Sequence, residues 1–85
     1  MLKASITSDQ IRSARALLRW SAMELASRSG VGIATIKRFE VMHGVPRGNT
    51  ATLDAIRSAL ESGGVEFIGS PDDRPGVRLS KPRED

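Results

Sequence analysis

The chain has 85 residues, no cysteine, and 13 Lys and Arg against 10 Asp and Glu, for a net charge of +3. A chain this short buries only about 60–65% of its unfolded surface, so a second core is excluded and a compact set of helices is the economical way to close one. Without thiols neither a disulfide framework nor a thiolate metal site can form, which fits a reducing cytoplasm.

From the N-terminus, MLKASITSDQ has no continuous apolar run and argues against a signal peptide. Ile6-Thr7-Ser8-Asp9-Gln10-Ile11 then reads as a helix start. Thr7 is the cap, Gln10 completes a capping box, and Ile6 staples to Ile11. Ile11, Ala14, Leu17 and Leu18 share the apolar face, with Arg12, Ala16 and Arg19 opposite and Arg15 at the boundary.

The same device recurs in Trp20-Ser21-Ala22-Met23-Glu24-Leu25, with Ser21 as cap and Trp20 against Leu25, so a second short helix follows at once. Gly30 supplies the left-handed residue that ends it. A third helix starts after Gly32 and carries Ile36, Phe39 and Glu40 inward. Its outer face is Ala34, Lys37, Arg38 and Val41, with Ile33 and Thr35 at the flanks.

VMHGVPRGN (41–49) breaks the pattern and reads as a loop. Asn49 or Thr50 caps a fourth helix with Leu53, Ile56, Ala59 and Leu60 as its stripe, stopped by Gly63-Gly64. The period then falls from 3.6 to 2. VEFI (65–68) and GVRL (76–79) alternate around GSPDDRPG and predict a β-hairpin. Its apolar face is Val65, Phe67, Val77 and Leu79, with Glu66 and Arg78 opposite. A lone hairpin is marginal in water, so this face needs cover from the helices or from a second copy. SKPRED (80–85) reads as a disordered tail. No run of 18 apolar residues offers a membrane span, and a cytoplasmic protein is expected.

Two short helices joined by a tight Gly-containing turn form a helix-turn-helix arrangement. Ala26 is small where the pair would cross, and Leu25, Val31, Ile36 and Phe39 attach it to the other helices. WSAMELASRSGVGIATIKRFE (20–40) resembles the corresponding segment of the Cro/C1-type (XRE-type) bacterial and phage regulators. Their pattern is approximately L-S-Q-E-E-L-A-x-x-x-G-V-S-x-x-T-I-x-R-x-E. The resemblance covers residues 8–62, and GVEFIGSPDDRPGVRL resembles a hairpin that closes a small bacterial subgroup.

The resemblance implies a mainly α, lambda-repressor-like four-helix domain with a C-terminal two-stranded β-hairpin. Residues 1–64 would bind DNA, 65–79 would form the hairpin, and 80–85 the tail. The implied function is a transcriptional regulator that binds a two-fold operator as a homodimer without metal or cofactor. Its third helix (about 33–41) would lie in the major groove of double-stranded DNA while the second anchors on phosphate.

The candidate DNA contacts are Ile33, Ala34, Thr35, Lys37 and Arg38, with Arg47 from the loop on a phosphate or simply in solvent. Arg can read guanine bidentately, and Thr can offer a hydroxyl or a methyl contact. Arg15 and Glu40 are expected to form a structural ion pair, because a buried carboxylate needs a partner; the resemblance puts an Arg–Glu pair at the same two positions. Val65, Phe67, Val77 and Leu79 are the candidate dimerisation face.

Ala22 stands where the family often has a phosphate-binding Gln, and Ile33 and Ala34 where it often has polar residues. Readout would then lean on thymine methyls and DNA shape. Alternatively the same fold would present its third helix to a regulatory protein partner, as an anti-activator or an antitoxin. Catalysis is not expected: with one histidine and no cysteine, no nucleophile–base–orienter set assembles, and His43 reads as a loop residue. GVGIATIK lacks the Gly-Lys-Ser/Thr ending of a phosphate loop.

Overall fold

The computed structural model describes residues 5–82. Residues 1–4, where the N-terminal reading begins, and 83–85, the end of the expected tail, lie outside the described residues. Four helices are followed by two antiparallel strands: α1 (Ser8–Leu18), α2 (Ala22–Ser29), α3 (Ile33–Glu40), α4 (Thr50–Gly63), β1 (Val65–Ser70) and β2 (Asp73–Leu79).

The helix ends follow from local chemistry. Thr7 Oγ1 accepts the Gln10 amide at 3.1 Å while Gln10 Oε1 accepts the Thr7 amide at 2.8 Å, a complete capping box. Arg19 closes α1 in a left-handed conformation (φ 59°), and its amide reaches back to Ala16 and Arg15. Ser21 Oγ caps α2 by accepting the Glu24 amide at 3.0 Å. The Glu24 carboxylate turns to Arg28 at 2.8 Å, so it serves an i,i+4 pair. Gly30 (φ 75°) ends α2, and Val31-Gly32 leads into α3 with no side-chain cap. Asn49 Oδ1 caps α4 through the Ala51 amide at 2.8 Å.

The apolar stripes converge on one cluster: Ile6, Ile11, Ala14, Leu25, Ile36, Phe39, Leu53, Ile56, Leu60 and Val65. Val65 comes from the hairpin, whose inner face closes over α1 and α4 with Phe67 and Val77 packed on the cluster. Gln10 ties that cover down, since its Nε2 donates to Gly76 O at 2.9 Å and Ile68 O at 3.3 Å.

The strands run further than the alternation alone predicts. Val65 pairs with Leu79, Phe67 with Val77 and Ser70 with Asp73, so the turn is only Pro71-Asp72. Between the pairs Ile68–Gly76 and Ser70–Asp73, Gly69 faces both Arg74 and Pro75, a bulge with the extra residue on β2. Gly69 (φ 74°) is obligatory there, because a Cβ would lie 2.3 Å from Arg74 O. The breaker-rich GSPDDRPG therefore encodes a bulge and a two-residue turn.

Ser80 is held by its amide to Gly64 O at 2.8 Å, so the hairpin's pairing continues one residue into the expected tail. Among the described residues no helix is long and apolar enough to cross a membrane.

Candidate nucleic-acid interface

α3 is fastened to α1 at its last turn. Ser8 Oγ donates to Phe39 O at 2.6 Å, and Arg12 Nη1 donates to Glu40 O. Arg15 meets the Glu40 carboxylate with both prongs, Nε to Oε2 at 2.8 Å and Nη2 to Oε1 at 2.9 Å. Its Nη1 also donates to Trp20 O at 3.0 Å, which joins the start of α2 to the same node. Ser8, Arg12 and Arg15 fall at i, i+4 and i+7, one line along α1.

Glu40 is only 7% exposed, and its charge is tolerable because Arg15 saturates it. The hydrogen bond to Glu40 holds the Arg15 guanidinium above its ordinary value, against the opposite pull of burial. Sequence reasoning placed Arg15 beside Glu40 but missed Ser8 and Arg12, whose partners are backbone carbonyls 31 and 28 residues away.

With its inner side so fixed, α3 turns Ala34, Lys37 and Arg38 outward, all exposed, while Ile33 and Thr35 are half-buried at the edges. The helix stops at Glu40, and Val41 follows as its C-cap, 74% exposed. The Arg38 guanidinium lies 5.6 Å from the Phe39 ring centroid. Gly48 lies against the same ring, where a Cβ would approach Cζ to 2.8 Å. The loop that carries Arg47 thus runs beside the end of α3. Arg47 is exposed, and its amide donates to Met42 Sδ at 3.3 Å. Met42, His43, Val45 and Arg47 line a shallow surface cleft there.

Charge pairing distinguishes this surface from most of the molecule, Arg19 and Lys81 being the other described cations without a carboxylate. Arg12, Arg15, Arg28, Arg57, Arg74 and Arg78 each hold a carboxylate. Among the described residues Lys37, Arg38 and Arg47 hold none. Between Glu24 and Asp54 the sole acidic residue is Glu40, which is buried and already paired. The outer face of α3 and the following loop therefore present cations to solvent that pair with no carboxylate among the described residues. Lys37 and Arg38 also suit the last turn of α3, where positive charge complements the helix dipole.

The hairpin residues expected to meet a second copy face the other way. Val65 is 2% exposed, Phe67 and Val77 pack on the core cluster, and Leu79 is half-buried. Of the two covers that the alternating pattern left open, the helices supply the one seen here. The outer face carries Glu66 and Arg78, paired at 2.8 Å, and Ile68 over Gly76.

Among the described residues no three His, Asp or Glu side chains gather into a metal-binding group. No protein-family model matches the chain, and no curated protein matches it either.

Proposed function

We propose that this chain is a sequence-specific double-stranded DNA-binding transcriptional regulator built on a lambda-repressor-like helix-turn-helix domain. In this reading α2 and α3 are the two helices of the motif, and α3 enters the major groove. One observation carries it: among the described residues Lys37, Arg38 and Arg47 hold no carboxylate and lie along α3 and the loop beside it, whereas the other described Lys and Arg side chains, apart from Arg19 and Lys81, are each matched to one. Unmatched cations along one helix and its neighbouring loop are the electrostatic footprint of a phosphate backbone. The fastening of α3 to α1 supports the reading, since a helix that reads base edges must hold a fixed height and tilt.

A two-fold operator would be read by two copies of the chain in the cytoplasm, without a cofactor. Because the inner hairpin face is occupied by α1 and α4, the contact between copies would use another surface. A second reading keeps the fold and makes the outer face of α3 a docking surface for a regulatory protein. Val41 at 74% exposure, at the end of α3, favours it, as an apolar side chain left in water.

Salt separates the two. If each of the three cations meets one phosphate, raising salt from about 50 to 200 mM should weaken binding about 40-fold for one copy and about 1,800-fold for two. Binding to duplex DNA from upstream of the chain's own gene, followed by fluorescence anisotropy, is the assay. A steep fall is expected. Undetectable binding at low salt would refute the DNA reading and turn attention to the protein partner.

A further inference from the structure

Resting on the DNA reading, the first turn of α3 narrows the class of sequence this surface takes. Ile33 and Ala34 are its first two residues, Ala34 exposed and Ile33 half-buried. Gly32 caps the helix without a side chain, and a Cβ built at either Gly30 or Gly32 would meet nothing within 4 Å. The approach to this end of α3 is therefore open, short of side chains and apolar. Within residues 30–36 Thr35, half-buried at the flank, carries the one side-chain hydroxyl. The cations come later, Lys37 and Arg38 at i+3 and i+4 from Ala34.

In recognition helices of this geometry the N-terminal residues meet the base edges. In the major groove adenine, guanine and cytosine present donors and acceptors, whereas thymine adds a methyl group. An apolar side chain pressed on a polar edge displaces its water and returns no hydrogen bond, which is unfavourable. Pressed on a methyl group, it buries apolar surface and is favourable.

We infer that α3 selects its half-site through thymine 5-methyl groups set against Ile33 and Ala34, with Lys37, Arg38 and Arg47 holding the phosphates on either side. Ala34 is small enough to let the helix backbone come close to the bases, and the branched Ile33 reaches a neighbouring step. The ligand class is thus a duplex with thymines at adjacent positions of each half-site, recognised by shape and methyl groups more than by hydrogen bonds.

The test uses the full chain and modified DNA. Duplexes are selected from a random pool at low salt, and each thymine of the enriched half-site is then replaced by deoxyuridine, which removes only the methyl group. Each effective replacement should weaken binding about fourfold, the loss expected for one buried methyl. Ile33→Ala should bind the thymine and deoxyuridine duplexes more nearly alike. Should that variant fail to fold, the deoxyuridine series on the unaltered chain decides alone. A selected duplex indifferent to every replacement would overturn the inference and leave DNA binding standing. A pool with no enrichment and no salt-dependent binding would overturn both.

Discussion

Replacing Arg15 by Met should destabilise the domain by roughly 2–3 kcal/mol. The substitution keeps most of the side chain's apolar volume but leaves the Glu40 carboxylate without the two hydrogen bonds it accepts at 2.8 and 2.9 Å. Breaking a fully buried pair from one side costs about 3–5 kcal/mol, because the remaining charge is stranded. Here the Arg15 side chain is 25% exposed against 9% for Glu40, so solvent screening lowers the figure toward the bottom of that range or below. In a domain of this size such a loss lowers the melting temperature by about 10–20 °C. It is a large share of a total stability of about 4–13 kcal/mol. The Arg15→Met/Glu40→Leu double variant removes both charges and should recover most of the loss. Thermal and urea unfolding followed by circular dichroism give the whole cycle, with a coupling of roughly 2 kcal/mol expected. A melting temperature unchanged in Arg15→Met, or losses that merely add in the double variant, would refute the pairing as the node that seats α3.

Three further outcomes test the fold around the site. Gly63→Ala places a Cβ 2.5 Å from Trp20 Cη2 and 2.9 Å from Leu18 Cδ1, so it should cost about 1–3 kcal/mol and shift the emission of the chain's single tryptophan. An unshifted spectrum would mean that α4 does not approach Trp20 so closely. Thr7→Ala should lose about 1 kcal/mol in urea unfolding while Thr7→Ser keeps the cap, and equal losses in both would count against the capping box. The Arg78 guanidinium, hydrogen-bonded to Glu66, holds that carboxyl below the ordinary glutamate range. A depressed carboxyl favours folding above its unfolded value and loses that contribution as pH falls through its folded one. Its NMR titration midpoint should therefore move up in Arg78→Gln; an unmoved midpoint would show the pair to be absent in solution.

Local signals were legible in the sequence because their physics is local. Thr7 with Gln10, Ser21, Gly30 and Asn49 mark helix ends through groups two to four residues away, and the structure uses each of them there. Arg15 and Glu40 could be brought together because the helical period turns Glu40 inward and sets Arg15 at the edge of α1's apolar face, and because the resemblance implies an Arg–Glu pair at these two positions.

What escaped depends on contacts that no period encodes. Gln10 looked like half of a capping box, yet its amide also donates to two hairpin carbonyls 58 and 66 residues on. Ser8 and Arg12 showed nothing of their bonds to the end of α3. GSPDDRPG reads as loop by composition, whereas its Gly and Pro serve a bulge and a two-residue turn inside the pairing. The hairpin alternation identified an apolar face correctly but could not say what covers it, because burial against α1 and burial against a second copy leave the same pattern.

The central claim is that the outer face of α3 meets DNA, and chemical-shift mapping tests it most directly. Isotope-labelled chain would be titrated with a selected duplex, and amide shifts followed residue by residue. The expected result is that shifts concentrate on residues 32–38 and 45–48, with the outer hairpin face around Glu66 and Arg78 unmoved. Shifts centred on the hairpin, or spread evenly over Arg12, Arg28 and Arg78 with α3 silent, would contradict the account.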